Sequence, residues 1–127
     1  MLPDSVLRAG RALRHRWRSS LRVRVVGTTL VASGLVVDVP GHSVTRDGTP
    51  VLLTPLEFDL LVALARVPGR VFSREALLEQ VWGYQHAADT RLVNVHVQRL
   101  RAKIEKDPEK PEVVLTVRGV GYKAGPP

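Results

Sequence analysis

Residues 89–106 constrain the fold most, because their apolar side chains recur with the period of an α-helix. Four aliphatic side chains form a narrow stripe on one side of this helix: Val93, Val97, Leu100 and Ile104. A stripe of this kind has to be buried against other elements, so the helix is expected to be part of a packed domain. Asp89 is predicted to cap its start, and Asp107-Pro108 is predicted to end it.

The opposite face of this helix has the chemistry of a nucleic-acid contact surface. Its centre consists of Arg91, Val95, Gln98, Arg99 and Ala102, and its flanks consist of Asn94, His96, Arg101 and Lys103. No acidic residue lies between Arg91 and Lys103, whereas a solvated helix face usually mixes both signs. Arg and Gln hydrogen-bond purine edges, a small aliphatic group suits the thymine methyl, and further cations suit phosphates. The face therefore predicts DNA binding, and a soluble basic surface without a partner is the alternative.

The distribution of charge supports DNA binding better than its total does. The chain has 127 residues, room for one small domain, and a net charge of +7, of which residues 1–24 supply +6 from seven Arg and one Asp. Residues 25–127 carry 12 basic and 11 acidic side chains, with the basic excess between residues 91 and 123. This polarisation is what a nucleic-acid face requires. No Cys is present, which excludes disulfides and thiolate metal sites.

Residues 1–28 are predicted to be a flexible basic tail, because the Arg-rich segment offers too little apolar material to fold alone. The uncharged run at residues 25–37 is shorter than the roughly 20 residues that span a bilayer. Two interpretations remain open for it, a membrane segment or two short strands over residues 29–38. We favour strands in an antiparallel N-terminal sheet, continued by a strand at residues 44–46, an Asp47-Gly48 turn and a strand at residues 50–53.

Two more helices are predicted between this sheet and the basic helix. Thr54, Pro55 and Glu57 occupy the N-cap, first and third helical positions, which is the pattern of a capping box. The first helix is expected to end at Pro68-Gly69 and to bury Leu56, Leu60, Leu61 and Leu64. The second is expected to follow a Ser73 cap and to bury Leu77, Leu78, Val81 and Trp82. Two helices joined by a loop, the second basic, indicate a helix-turn-helix variant.

A predicted β-hairpin closes the chain, with strands at residues 113–117 and 122–123 and a glycine-rich turn between them. A hairpin beside a recognition helix is a wing, and Arg118 at its tip is placed to enter a narrow minor groove. The four His residues lack metal-ligand spacing, and no Ser and His are ordered as nucleophile and base. We therefore predict no metal site, no cofactor and no enzymatic activity.

Four segments resemble the winged-helix effector domain of OmpR/PhoB-type response regulators of two-component systems. They are LTPLEFDLLVAL (53–64), REALLEQVWG (74–83), DTRLVNVHVQRLRAKIE (89–105) and TVRGVGYKA (116–124). The resemblance covers about residues 35–127 and implies an α+β winged helix-turn-helix with a four-stranded N-terminal antiparallel sheet, three helices and a C-terminal β-hairpin wing. We assign this domain to residues 29–125. It also implies transcription regulation by head-to-tail pairs that bind direct repeats of double-stranded DNA.

The resemblance assigns roles to residues by their motif positions. Together with the flanking Asn94 and Lys103, the expected DNA-contact residues are Arg91, Val95, His96, Gln98, Arg99 and Arg101 on the recognition helix, Trp82, Thr116 and Tyr122 at phosphates, and Arg118 in the wing. The loop containing Gly83, Tyr84, Gln85 and His86 matches the family's segment facing RNA polymerase. No small-molecule substrate is implied.

The N-terminal part departs from this family. Its response regulators carry a receiver domain with a phosphorylatable Asp, whereas fewer than 35 residues precede the sheet here, so direct control by phosphorelay is not expected. Residues 13–37 resemble, more weakly, the cytoplasmic flank and first span of a membrane sensor kinase. We expect a cytoplasmic protein. The alternative is a membrane-tethered or non-specific basic interaction module made by a fused or truncated reading frame.

Overall fold

The computed structural model describes residues 24–26, 29–32, 34–83 and 89–125. The strands and helices are β1 (Arg24–Val26), β2 (Thr29–Ala32), β3 (Leu35–Asp38), β4 (Ser43–Arg46), β5 (Thr49–Pro50), α1 (Pro55–Ala65), β6 (Phe72–Ser73), α2 (Arg74–Leu77) with a π-helical turn (Leu78–Trp82), α3 (Arg91–Ile104), β7 (Val114–Val117) and β8 (Gly121–Ala124). The predicted α+β class, with helices between two antiparallel sheets, is confirmed.

The N-terminal sheet is an antiparallel meander in the order β1-β2-β3-β4-β5. The strand interpretation of residues 29–38 is confirmed, because Ala32 in β2 pairs with Leu35 in β3 across the predicted turn. In β3, Leu35 and Val37 are buried while the residues between and after them are exposed, as expected for a sheet with one covered face. The sheet has five described strands, one more than expected, because β1 adds to it from within the predicted tail.

Two predictions about the N-terminal half need correction. The tail was expected to extend through residue 28, but residues 24–26 form β1; residues 1–23 lie outside the described part. The strand expected at residues 50–53 is reduced to Thr49–Pro50. Val51 still donates its N–H to the Val44 carbonyl at 2.8 Å, after which the chain leaves the sheet to enter the cap of α1. Within the described ranges, no helix is long and apolar enough to cross a membrane.

Helix α1 begins with the predicted capping box. The Thr54 hydroxyl accepts from the Glu57 N–H at 3.2 Å, and the Glu57 carboxylate accepts from the Thr54 N–H at 2.9 Å. Among the predicted inward side chains, Leu56 is only half-buried. The buried apolar face consists of Phe58, Leu60, Leu61, Leu64 and Ala65. The cap thus fixes where the helix starts, while packing against α3 decides which side it buries.

Helix α2 starts at the predicted Ser73 cap, whose hydroxyl accepts from the Ala76 N–H at 3.0 Å. After Leu77 the helix widens into the π-helical turn, which was not predicted, and Gly83 closes it with N–H contacts to the Leu78 and Glu79 carbonyls. Leu77 and Leu78 are fully buried, whereas Val81 and Trp82 are half-buried against the core. The inward side of this helix is therefore as predicted, with a looser last turn.

The C-terminal sheet is built in the order β6-β8-β7, so the predicted closing hairpin is extended by a short strand from the middle of the chain. Gly119 has a φ of +78° in the hairpin turn, as expected for the glycine there. Gly121 has another reason to be glycine: a Cβ there would lie 2.0 Å from the Phe72 carbonyl oxygen of β6. A side chain at this position would push the wing away from β6.

Helix α3 runs from Arg91 to Ile104 and buries the predicted stripe completely. It starts slightly later than predicted, with Thr90 at the boundary, although the Asp89 carboxylate still accepts from the Arg91 N–H at 3.2 Å. At its end, the Arg46 guanidinium of β4 donates to the Ile104 carbonyl. The end of the helix is thereby tied to the N-terminal sheet, and the side opposite the buried stripe is left for solvent.

Candidate nucleic-acid interface

The solvent side of α3 is the face that the helical period predicted. Its exposed side chains, which we call the open face, are Arg91, Val95, Gln98, Arg99 and Ala102. Val95 is 44% exposed at its centre, where its methyl groups lie among the guanidinium and amide donors of the same face. The open face therefore combines guanidinium and amide donors with a central methyl-bearing surface, as a major-groove contact requires.

One acidic side chain touches the edge of the open face. The Asp89 carboxylate accepts from the Arg91 Nε at 3.1 Å, while the Arg91 side chain remains 88% exposed. The hydrogen bond from Arg91 lowers the pKa of Asp89 from its usual value, despite a small opposing effect of desolvation. Because the ion pair is at the surface, it restrains Arg91 only weakly. A phosphate or base can compete for this guanidinium.

The flank of α3 that faces the wing is occupied by Asn94 and Arg101, and we call it the wing-facing flank. Arg101 is only 6% exposed. Its guanidinium donates to the Val114 carbonyl at 3.1 and 2.9 Å and to the Thr116 hydroxyl at 2.8 Å. Burial lowers the pKa of Arg101, and the nearby Tyr122 and Glu105 partly offset this. Arg101 was expected to contact DNA, whereas in this structure these bonds turn its charge toward the wing.

Asn94 is turned toward the wing as well. Its side-chain oxygen accepts from the Tyr122 hydroxyl at 2.7 Å and from the Arg74 Nε at 2.8 Å. Tyr122 itself is only 4% exposed, so its ring and hydroxyl belong to the core edge. Thr116, the other predicted phosphate contact of this region, is exposed on β7 and accepts from Arg101. Asn94 and Tyr122 therefore bind protein groups in this structure.

The other flank of α3 faces α1 and the π-helical turn. The His96 ring meets the Trp82 ring edge-on at 5.1 Å, and its Nδ1 lies 2.9 Å from the Leu92 carbonyl. Lys103 donates to the Glu57 carboxylate at 2.6 Å. Desolvation tends to raise the pKa of Glu57, but hydrogen bonds from Lys103 and Thr54 outweigh it and lower the pKa. Lys103 is therefore held by α1, with its side chain 39% exposed.

The wing tip presents Arg118 to solvent, as predicted. Arg118 is exposed in the turn that Val120 closes by donating its N–H to the Val117 carbonyl at 3.0 Å. Arg118 in the wing and the open face on α3 are thus two separate exposed sites. In the predicted polymerase-facing loop, Gly83 is half-buried, while Tyr84, Gln85 and His86 lie outside the described residues.

Two charged residues that the sequence patterns did not single out organise this region. Glu105 is 7% exposed, and its carboxylate accepts from the N–H groups of Glu112, Val113 and Val114 at 2.8 to 3.1 Å. It follows the last residue of α3, so no periodic pattern marks it as buried. Arg74 does carry a signal in the sequence, because it is a cation in the first turn of a helix, where acids are favoured.

Comparison with known proteins identifies this arrangement. The family model described as "Transcriptional regulatory protein, C terminal" matches residues 48–124, which include α1, both helix-turn-helix elements and the wing. The chain belongs to this family. Its family is one of transcriptional regulators rather than of enzymes, and its fold is the OmpR/PhoB-type winged helix.

One relative of this OmpR/PhoB-type domain illustrates the match in sequence. The DNA-binding response regulator MtrA of Mycolicibacterium smegmatis is 79% identical over 91 residues, which cover 72% of this chain and 40% of MtrA. The chain thus spans about 40% of the length of this curated relative.

Two solved structures share the fold. The response regulator DrrB of Thermotoga maritima, described as an OmpR/PhoB homolog, superposes with a TM-score of 0.71 at 34% identity over 77% of this chain and 44% of DrrB. The DNA-binding domain of RstA from Klebsiella pneumoniae, solved in complex with the RstA box, superposes with a TM-score of 0.70 at 32% identity over 78% of this chain and 98% of that domain.

Proposed function

We propose that this chain binds double-stranded DNA sequence-specifically and regulates transcription. Helix α3 enters the major groove with its open face toward the base edges, and the wing places Arg118 in the adjacent minor groove. The observation that carries this proposal is the open face itself: Arg91, Gln98 and Arg99 are exposed around Val95 while the apolar stripe behind them is fully buried. A solved relative with this fold, RstA, is bound to its RstA box.

Each part of the open face has a chemical role. Arg99 and Gln98 provide donors for purine edges, and Val95 provides an apolar contact for a thymine methyl. Arg91, near the start of the helix, is placed for a phosphate. His96 and Trp82 form the edge of this surface and are proposed to approach the backbone, whereas Asn94, Arg101 and Tyr122 support it from behind.

The assembly on DNA follows from the family. We propose head-to-tail pairs on direct repeats and a contact to RNA polymerase through the loop that begins at Gly83. The protein is proposed to act in the cytoplasm, where its duplex partner is found.

The test is selection of bound duplexes from a random pool by the full chain at a stated salt concentration, since affinity for phosphates depends strongly on salt. We expect a direct repeat to be enriched. Arg99→Ala should lower the preference for that repeat over random duplex by about 1–3 kcal/mol, because it removes a base contact. Asp59→Ala, on the exposed side of α1 and away from the open face, is the control.

Two results would contradict the proposal. One is enrichment of no sequence beyond the starting pool. The other is an Arg99→Ala variant that discriminates between the selected repeat and random duplex as well as the wild type does, since the open face would then not read bases.

A further inference from the structure

We propose that Asn94 and Arg101 are positioning residues that hold the wing at a fixed angle to the recognition helix, so that the open face and Arg118 meet a duplex as one unit. The cluster that does this, called the wing latch, consists of Arg74, Asn94, Arg101, Thr116 and Tyr122. The inference rests on the proposed function and deepens it, because it assigns the source of the geometry on which combined groove recognition depends.

The wing latch ties both strands of the wing to α3. Strand β8 is held where the Tyr122 hydroxyl donates to the Asn94 side-chain oxygen at 2.7 Å. Strand β7 is held where Arg101 donates to the Val114 carbonyl and the Thr116 hydroxyl. Thr116 and Tyr122 are paired across the hairpin, so the two ties meet on neighbouring residues of the sheet.

The two ties are well separated along the helix. Asn94 and Arg101 are seven residues apart, which places them on nearly the same side of α3 and about 10 Å apart along its axis. A single tie would let the wing pivot about one point. The two ties start about 10 Å apart on α3 and reach the wing at Tyr122, Thr116 and the Val114 carbonyl, so together they restrain its angle to the helix.

The burial of Arg101 and Tyr122 argues for an internal role of these two side chains. Tyr122 is 4% and Arg101 is 6% exposed, although a side chain that contacts phosphate has to reach the surface. The Tyr122 ring lies 5.3 Å from the Arg74 guanidinium and 5.6 Å from that of Arg101. Attraction between a cation and an aromatic face is stronger when both are desolvated. These contacts restrain the tyrosine in addition to its hydrogen bond.

The position of Arg118 explains why this matters for DNA. It is two residues beyond Thr116 and four before Tyr122, at the tip of the tied hairpin. Fixing the hairpin in advance lowers the entropic cost of engaging both grooves at once. A loosened hairpin would leave Arg118 chemically intact but poorly placed, and its contribution to affinity would fall.

The experiment measures how much Arg118→Ala weakens binding of the full chain to the selected duplex in several backgrounds. In the wild type we expect about a tenfold loss, as for one good contact. In Tyr122→Phe, which removes only the hydroxyl, the loss should shrink to about threefold or less because the wing is no longer held. Asn94→Ala removes the same bond from the other side and should act alike.

Two further backgrounds separate positioning from other effects. Asn94→Asp keeps an oxygen for both donors, so the tenfold factor should be retained even though its negative charge lowers affinity overall. Arg99→Ala removes a base contact and leaves the wing latch intact, so Arg118→Ala should again cost about tenfold. Thermal unfolding checks that every variant is folded at the temperature of measurement.

The results that overturn the inference differ from those that overturn the proposed function. If Arg118→Ala lowered affinity by the same factor in every background, and Tyr122→Phe weakened binding to all duplexes alike, the inference would be overturned. Tyr122 would then be a direct phosphate contact. An Arg118→Ala variant with full affinity would remove the wing from DNA binding and overturn the inference, while selection of a duplex would still support sequence-specific binding by the open face. A chain that enriches no duplex would overturn both.

Discussion

Arg99 and Arg101 are two residues apart on the same helix, but they belong to opposite regions of the molecule. Arg99 is exposed on the open face, whereas Arg101 on the wing-facing flank is 6% exposed and binds β7 through three hydrogen bonds. The open face keeps its donors available for another molecule, and the flank uses its donors internally. A basic helix can therefore divide identical side chains between recognition and the support that recognition needs.

Loss of Arg101 should reduce the stability of the fold far more than loss of Arg99. Arg101→Ala should lower the free energy of unfolding by about 3 kcal/mol, because it leaves a buried carbonyl unpaired and removes the packing of the arginine stem. Arg99→Ala should change it by no more than about 0.5 kcal/mol. Urea denaturation of the two variants measures the difference. Equal losses would mean that the two arginines share one environment, contrary to the structure.

Exposed and internally bound cations should also differ in how they affect the salt dependence of DNA binding. Arg91→Ala should reduce the slope of log affinity against log salt concentration by about 1, because one phosphate contact is lost. Lys103→Met should leave the slope unchanged, because that ammonium group is already bound to Glu57. The slopes are obtained from binding titrations at several salt concentrations. A reduced slope for Lys103→Met would place that side chain on the DNA after all.

The pair of Glu57 and Lys103 should also make stability depend on pH. The folded pKa of Glu57 is below its unfolded value, so its contribution is fully present above the unfolded pKa and is lost as the pH falls through the folded one. Glu57→Gln should lower the free energy of unfolding by about 1 kcal/mol at neutral pH and make it depend less on pH in the acidic range. Unfolding curves at neutral and acidic pH test this, with Asp59→Asn as an exposed control. If the free energy of unfolding fell with pH equally in the wild type and in Glu57→Gln, this role of Glu57 would be contradicted.

The smallest expected effect concerns the edge of the open face. Asp89→Asn should raise DNA affinity by about threefold or less at low salt, since it removes a negative charge beside Arg91 and keeps a capping oxygen. High salt should abolish the gain by screening. Titration of both proteins at two salt concentrations measures it. A gain that persists at high salt would have to come from a change of structure and would contradict this explanation.

The predictions from sequence succeeded where the cause is local. The Thr54 and Glu57 capping box needs only residues three apart, and the turn between β2 and β3 needs only its neighbours. The exposed and buried sides of α3 follow from its own period, so the helix sequence by itself was sufficient to predict the open face.

The internal contacts of the charged flanks of α3 could not be predicted, because each partner is distant in the chain. Arg101 is satisfied by Val114 and Thr116, and Lys103 by Glu57, which is 46 residues earlier. From sequence alone a charged residue is predicted to be exposed to solvent, because burial of an unpaired charge is costly and the partner is not known. Helical position alone could not decide which flank of α3 faces the wing.

The carboxylate of Glu105 has a consequence for how this domain tolerates change. The Glu105 carboxylate accepts hydrogen bonds from three successive backbone N–H groups at residues 112–114. It thereby joins the two ends of the loop between α3 and β7. Because Glu105 holds the two ends of residues 106–111 together, extra amino acids inserted there would extend into solvent without moving α3 or β7. This surface loop is therefore a suitable site for attaching a fluorophore or an affinity epitope without disturbing the proposed DNA-binding surface.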